Sequence, residues 1–482
     1  MVRVPDLSNI IKAYDVRGVV PDELSPAVAR AVGEAFAAAV VVPEGGARVV
    51  VGQDMRDSGP ALVEAFAEGV TSQGVDVVRI GSCSTDGLYF ASGSLDAPGA
   101  MFTASHNPAR YNGIKLCRAG ARPVGQETGL AQVRELAEGL LDGAGQATRA
   151  PQTGQAGQVG DVDVLGEYAA FLRGLVDISG VRPLKVVVDA GNGMAGLTVP
   201  AVLGTAAGLP GLPLEVVPLY FELDGTFPNH EANPLEPANL VDLQAAVVAH
   251  EADIGLAFDG DADRCFVVDE RGGAVSPSAV TALVGMREID RERAAGRTAT
   301  IIHNLITSRA VPDLLGAAEA RLVRTRVGHS FIKQSMAEQD AVFGGEHSAH
   351  YYFRDFWFAD TGMLAALHVL AALGGQSHPL SALAEMYTPY SASGEINSTV
   401  TDAAGVVERV REAYTRAYPE AVVDTLDGMT VTHWDGLHPQ WWFNLRASNT
   451  EPLLRLNVEA ADEDIMIKVR DDVLSLVREE NV

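Results

Sequence analysis

Arg48-Val-Val-Val-Gly-Gln-Asp54, then Ser58-Gly-Pro60 opening a helical run from Ala61 to Gln73, then Val75-Asp-Val-Val-Arg-Ile80, is the stretch that decides the fold. Two short, almost unbroken Val/Ile runs read as buried strands, and the segment between them is long enough to cross over as a helix, so the unit is βαβ. The same cadence returns at Leu184-Lys-Val-Val-Val-Asp189, followed by the glycine-rich Ala190-Gly-Asn-Gly-Met-Ala-Gly196, a helix and Leu214-Glu-Val-Val-Pro-Leu219. It returns again at Thr298-Ala-Thr-Ile-Ile-His303, with a helix from about Ser308 and a strand at Ala320-Arg-Leu-Val-Arg324. Three spaced units of one kind predict three related α/β domains with mainly parallel strands, each sheet covered on both faces.

Working outward, Ile11 to Gly18 reads as a short strand and turn, and Asp22 to Val40 as a helix with an alanine-rich face. Asp142 to Gly160, rich in Gly, Gln and Ala, reads as a linker or exposed hairpin, and Asp161 to Val176 as a helix entering the next domain. The carboxy-terminal part differs. Ser391 to Val400, Thr430 to Trp434 and Trp441 to Arg446 read as strands, with helices at Ala403 to Ala417 and Glu463 to Arg478, an α+β pattern. The expected domains are 1–158, 159–275 and 276–384, all α/β, and an α+β domain at 385–482.

A chain of 482 residues exceeds one compact core, and 47% hydrophobic with 21% charged residues is an ordinary globular balance. Apolar runs such as Ala35 to Pro43 and Leu364 to Leu373 fall short of a membrane span, and no basic-then-apolar leader opens the sequence, so a soluble, cytoplasmic chain is expected. Cys83, Cys117 and Cys265 lack metal or disulfide spacing and read as reduced core thiols. A net charge of −27 argues against nucleic-acid and membrane partners, but Arg17, Lys115, Arg264, Lys333 and Arg446 beside turn-rich motifs suggest local sites for a small anion.

Four clusters carry chemistry. Thr103-Ala-Ser-His-Asn-Pro108 follows the apolar Ala100-Met101-Phe102, and Asn-Pro ends regular structure, so Ser105 belongs on a loop at the end of a strand, where α/β proteins keep their chemistry. Taken alone, the hexapeptide reads equally well as a surface turn. Asp259-Gly-Asp-Ala-Asp-Arg264 lies between apolar runs; alternate positions of an extended segment point the same way, so three carboxylates converge and call for a hard cation, best Mg²⁺. A purely structural acidic turn is the plainer alternative. An EF-hand is disfavoured although Glu270 stands at its last ligand position, because Arg264 occupies the place that needs glycine. Val327-Gly-His329 with Lys333, and Gly344-Gly-Glu-His-Ser-Ala-His350, set polar groups behind glycines: Glu346 and Ser348 suit sugar hydroxyls, and His350 suits proton transfer. Arg446-Ala-Ser-Asn-Thr-Glu-Pro452 offers a cation and turn donors for a phosphate, or is a polar turn between strands.

In this order the four clusters resemble those of the α-D-phosphohexomutase superfamily and, within it, the bacterial phosphomannomutase/phosphoglucomutase group, nearly end to end; Tyr14-Asp-Val-Arg-Gly18 is similar to that family's amino-terminal motif. The resemblance implies four domains around a central cleft and a phosphoserine at Ser105. It also implies one Mg²⁺ per chain, with Ser105, Asp259, Asp261 and Asp263 as its ligands. It implies that Ser105, His106, Lys115, His350 and Arg17 form the catalytic group, with Lys115 and His350 unranked as general acid and base. Substrate binding would fall to Tyr14, Arg264, His329, Lys333, Glu346, Ser348, Arg446, Ser448, Asn449 and Thr450. The reaction implied interconverts hexose 6- and 1-phosphates through a hexose 1,6-bisphosphate, which also serves as primer, in a monomer or weak homodimer. Where many members carry methionine, this chain has His347, a departure that bears on the fine sugar preference. Mannose and glucose phosphates differ only at C2, no residue here obviously reads that position, and both are expected to be used, with mannose favoured on overall similarity. The alternatives are a phosphoglucosamine mutase, a sugar-phosphate phosphatase and a non-catalytic sugar-phosphate-binding protein. A phosphatase has no use for a second phosphate cradle, and a binding protein has none for a nucleophile together with three metal ligands.

Overall fold

Arg48–Gln53 and Asp76–Ser82 pair in parallel, Val50 against Val78, with the helix Gly59–Ser72 crossing between them. The computed structural model in which they do so describes residues 6–12, 14–143, 155–434, 436, 439–447 and 453–478. The first sheet runs in the order Val16–Val19, Tyr111–Arg118, Gly99–Phe102, Arg48–Gln53, Asp76–Ser82, Val159–Asp161. Its centre is parallel, as the Val/Ile runs predict, but Tyr111–Arg118 comes back antiparallel to Gly99–Phe102, and Val16–Val19 pairs antiparallel with it in turn. The sheet is therefore mixed. That reversal places residues 103–110 at the carboxyl end of a central strand and sets Lys115 opposite Met101.

The helix Pro26–Phe36 starts where Ser25 accepts a hydrogen bond from Val28 N–H and Pro26 fills the first turn. Val28, Val32, Ala35 and Phe36 then face the core with Phe66 and Phe102, and burial of each of Val32, Phe36, Phe66 and Phe102 contributes roughly 1.5–3 kcal/mol.

The expected linker needs correction at its end. Residues 144–154 lie outside the described residues, and Val159–Asp161 forms a short parallel strand on Asp76–Ser82, so it joins the first sheet. Three exposed residues at a sheet edge bury no apolar face of their own, and the sequence offers no period to detect.

The second sheet, Ala274–Val275, Cys265–Asp269, Ile254–Phe258, Leu184–Asp189, Leu214–Leu219, repeats the plan, with a parallel centre and an antiparallel hairpin at one side. At the carboxyl end of Leu184–Asp189, Asp189 Oδ1 accepts from Gly191 N–H at 2.8 Å and its Oδ2 lies 3.0 Å from His230 Nε2. The Asp189 hydrogen bond, opposed by partial burial, raises the imidazole pKa above 6.5. Because the folded value exceeds the unfolded one, this contribution to stability is complete below pH 6.5 and is lost as pH rises through the folded value. Thermal melts between about pH 6 and pH 8 are expected to fall more steeply for the wild type than for His230→Gln; parallel curves would remove the clamp from the account.

The third repeat contributes the parallel pair Thr300–Asn304 and Arg321–Thr325, and the antiparallel pair Tyr351–Phe353 and Ala359–Asp360. The last sheet, Ser391–Thr399, Leu453–Ala460, Trp441–Ala447, Met429–His433, Val422–Asp424, is antiparallel throughout. Helices Ala403–Ala417 and Glu463–Arg478 cover it, with Tyr414 edge-on to Trp441 and Phe443 at 5.3 and 4.8 Å.

Packing divides the chain into two compact units. One is Met1–Val275 with Met336–Phe343 and Ser348–Ser381; the other is Ser276–Ser335 with Gly344–His347 and Ala382–Val482. Cys83, Cys117 and Cys265 are buried free thiols. Among the described residues no helix is long and apolar enough to cross a membrane.

Candidate active site

Ser105 sits at the turn between strands Gly99–Phe102 and Tyr111–Arg118, buried, with φ at 50°. A left-handed, non-glycine backbone persists only where its surroundings over-determine it. Here Ser105 N–H donates to Thr103 Oγ1 at 2.8 Å, and Arg56 holds the turn from behind. The Arg56 guanidinium donates to four main-chain carbonyls, those of Ser105, Asn107, Pro108 and Tyr111, at 2.8, 2.7, 3.0 and 2.9 Å. Its Nε donates to Asp54 Oδ2 at 3.1 Å, and both side chains are sealed from solvent. Sequence reasoning missed Asp54 and Arg56. Their one signal is position, since they directly follow the buried strand Arg48–Gln53, at the end of a parallel sheet where sites form.

The aspartate loop joins Ile254–Phe258 to Cys265–Asp269, and one carboxylate oxygen from each of Asp259, Asp261 and Asp263 lies within 4.8 Å of the others. The convergence was expected from an extended segment; its cause is a turn, with Ala262 left-handed at φ 60° and its N–H donating to Asp259 O at 3.0 Å. Ser105 Oγ donates to Asp259 Oδ2 at 2.8 Å, and Arg264 Nε donates to the same oxygen at 2.9 Å. Lys115 Nζ donates to Asp261 Oδ2 and Asp263 Oδ2, both at 2.7 Å. Burial opposes the Lys115 charge, but Asp261 and Asp263 overcome it and raise its pKa well above the ordinary value, so the ammonium is a donor. Burial also works against ionised Asp261, yet Lys115 and the hydrogen bonds of Lys115 and Thr85 hold that carboxyl far below the usual range. Asp259 shifts the other way: burial, outweighing Arg264, and the crowding of Asp263 and Asp261 raise its pKa. Three carboxylates thus face two cations, and Asp261 Oδ1 and Asp263 Oδ1 are buried with no hydrogen-bond partner among the described residues. Such a hard, oxygen-only donor set fits a divalent cation.

Bare backbone sets the spacing between the two loops. A Cβ on Gly260 would lie 2.5 Å from the Ser105 carbonyl oxygen, and one on Gly193 would lie 2.7 Å from the Gly260 carbonyl oxygen. Met194 N–H donates to that Gly260 oxygen at 2.9 Å, so the glycine-rich turn after Leu184–Asp189 buttresses the aspartate loop. Gly260→Ala is expected to displace Ser105 from Asp259 and lower kcat about 100-fold with KM little changed; unchanged kcat in steady-state assays would show the spacing to be adjustable.

Other expected residues gather around this centre. His106 Nδ1 accepts from Arg264 Nη2 at 2.7 Å and lies 3.2 Å from Ser105 Oγ. Burial, then Arg264 and Arg17, push its pKa well below 6.5, so the imidazole is neutral. Arg17 pairs with Asp15 and donates to Asn107 Oδ1, each at 2.6 Å. Its partner across the sheet is Gly113, two residues before Lys115, so Arg17 and Lys115 share one face. His350 bridges to the Arg264 backbone, and its Nδ1 is 3.0 Å from Asp360 Oδ2 and 3.8 Å from Asp263 Oδ1. Tyr14 and Ser348, in the same unit, are half-buried in turns.

The second unit holds His329 and the buried Lys333 on the helix His329–Gln339, the buried Glu346, and Arg446 on the strand Trp441–Ala447. Asn304, missed in the sequence, donates to Glu346 Oε2 at 3.0 Å and lies 3.1 Å from His347 Nδ1, so the unusual histidine is part of that turn's hydrogen bonding. Burial lowers the Arg446 pKa against the pull of Asp427, Glu395 and, more weakly, Glu346. Ser448, Asn449 and Thr450 lie outside the described residues.

The chain belongs to the phosphoglucomutase/phosphomannomutase family: alpha/beta/alpha domains I, II and III match residues 8–139, 167–273 and 277–390, and the C-terminal domain matches 395–476. A phosphomannomutase of Escherichia coli is 37% identical over 473 residues, covering 97% of this chain and 98% of the relative. The phosphohexose mutases of Xanthomonas campestris pv. campestris are 40% identical over 466 residues, covering 96% and 98%. A crystal structure of a phosphoglucomutase/phosphomannomutase family protein from Burkholderia thailandensis has a TM-score of 0.82 at 31% identity, covering 97% of each chain. The chain is accordingly a phosphohexomutase, an isomerase of the phosphomannomutase/phosphoglucomutase type.

Proposed function

We propose that the chain interconverts mannose 6-phosphate and mannose 1-phosphate, and the corresponding glucose phosphates, through phosphorylated Ser105 and a hexose 1,6-bisphosphate. The observation that carries this reading is the buried Ser105 hydroxyl bonded to Asp259 inside a cluster of three carboxylates, Lys115 and Arg264. Asp259, Asp261 and Asp263 would hold one Mg²⁺, with Ser105 completing the set. When bound, the ion neutralises phosphate charge and polarises the phosphorus.

A sugar hydroxyl attacks the phosphoryl group in line: its oxygen bonds to phosphorus, the bond from phosphorus to Ser105 Oγ breaks with its electron pair going to Oγ, the hydroxyl proton leaves to a base, and Oγ takes up one proton to restore the serine hydroxyl. Asp360 at Nδ1 orients His350 with Nε2 as the proton acceptor. Lys115, held as an ammonium by Asp261 and Asp263, is the electrostatic partner of the transferring group, and Arg17 and Arg264 steady the reacting phosphate. Neutral His106, locked by Arg264, orients the serine. Tyr14, Lys333, His329, Glu346 and Ser348 bind the sugar, and Arg446 with Ser448, Asn449 and Thr450 holds the non-reacting phosphate. The bisphosphate then reorients, and its other phosphoryl group returns to Ser105. A hexose 1,6-bisphosphate primes the unphosphorylated enzyme.

The test is a coupled assay with mannose, glucose and glucosamine phosphates, Mg²⁺ and bisphosphate primer. Turnover of the mannose and glucose pairs is expected; preference for glucosamine phosphate, or steady release of inorganic phosphate without isomerisation, would overturn the assignment.

A further inference from the structure

The helix Thr85–Ser94 has an unusual beginning. Ser84 caps it, accepting from Gly87 N–H at 3.2 Å, and Asp86 in its first turn is completely buried. Three hydroxyls bond to the Asp86 carboxylate: Tyr168 Oη at 2.8 Å, Thr361 Oγ1 at 2.7 Å, and Ser84 Oγ. They come from the helix Leu165–Leu175, from the residue that caps the helix Gly362–Gly374, and from the local turn. Neutral hydroxyls replace water around a buried charge but supply no countercharge, so an apolar residue would hold these segments together at less expense of desolvation. Its neighbours show what the carboxylate does. Thr85 Oγ1 donates to Asp261 Oδ2 at 2.6 Å, and Thr85 N–H donates to Asp261 O at 2.9 Å. Thr361 follows Asp360, whose carboxylate contacts His350.

We propose that Asp86 is a positioning residue for the metal loop: by fixing the first helical turn against Tyr168 and Thr361 it aims Thr85 at Asp261, which fixes that carboxylate for the cation. Thr85 thus holds Asp261 at two points, its main-chain carbonyl and Oδ2; Lys115 also donates to Oδ2, and Oδ1 is the oxygen left for a ligand. The inference rests on the aspartate loop being the metal site.

The experiment titrates Mn²⁺ into the full chain and reads free ion by paramagnetic resonance, with thermal melts alongside. Asp86→Asn and Thr85→Val are each expected to weaken Mn²⁺ binding about 10-fold or more, and Thr85→Ser to stay within about twofold of the wild type. Thr85→Val carries the test if Asp86→Asn fails to fold. Wild-type affinity in either a folded Asp86→Asn or Thr85→Val, with stability alone reduced, would break the route from Asp86 to Asp261, make Asp86 a structural residue and overturn the proposal. A wild type that binds no Mn²⁺, or Asp261→Asn binding like the wild type, would instead overturn the metal reading of the loop, and this inference with it.

Discussion

Ser105→Ala is expected to lower kcat by about four orders of magnitude or more while leaving sugar-phosphate affinity within a few-fold, because in the proposed mechanism its side chain alone carries the transferred group. The loop survives this truncation, since it is held through the main chain: Ser105 N–H donates to Thr103, and Arg56 donates to the Ser105 carbonyl. What disappears is the hydroxyl that donates to Asp259 at 2.8 Å. Radiolabelled hexose bisphosphate is expected to label the wild type and not the variant, and binding by calorimetry is expected to persist. A variant that kept full turnover would end the phosphoserine mechanism.

The second large effect is expected at Arg56. Arg56→Met leaves the buried Asp54 without its cation and four carbonyls without their donor, a change of the kind that destabilises by about 3–5 kcal/mol. Arg56→Lys keeps the charge but has three donors and no planar fork, so it cannot satisfy five acceptors on two sides. Its fold is expected to survive better than its kcat. Denaturant unfolding and steady-state kinetics on both variants check this; a Lys variant with wild-type kcat would show that charge alone supports the loop.

The sheet centres were legible because parallel strands are apolar on both faces, and the Ser105 and aspartate loops because polar runs bounded by such strands stand out. The edge strand Val159–Asp161 was not legible, because its partner, Asp76–Ser82, supplies all its order. Arg56 was hidden for another reason: its acceptors are mostly main-chain carbonyls, which every residue owns and none advertises. Asn304 likewise acts on Glu346, 42 positions away in the chain. The three aspartates converged as expected from their spacing, but through a left-handed turn at Ala262, a position where alanine gives no hint of positive φ.

The contact of Gly193 on Gly260 and of Gly260 on Ser105 behaves as a fixed gauge. A separation set by side chains can be retuned by exchanging a rotamer or a methyl group; one set by backbone thickness cannot. The spacing of Ser105 and the aspartate loop is therefore insulated from side-chain exchange around it, and exposed to change only where a Cβ is added at Gly193 or Gly260. If the turn at Glu346 and His347 reads the sugar as proposed, its preference can be redesigned there with Ser105 and its aspartates kept at their present distance.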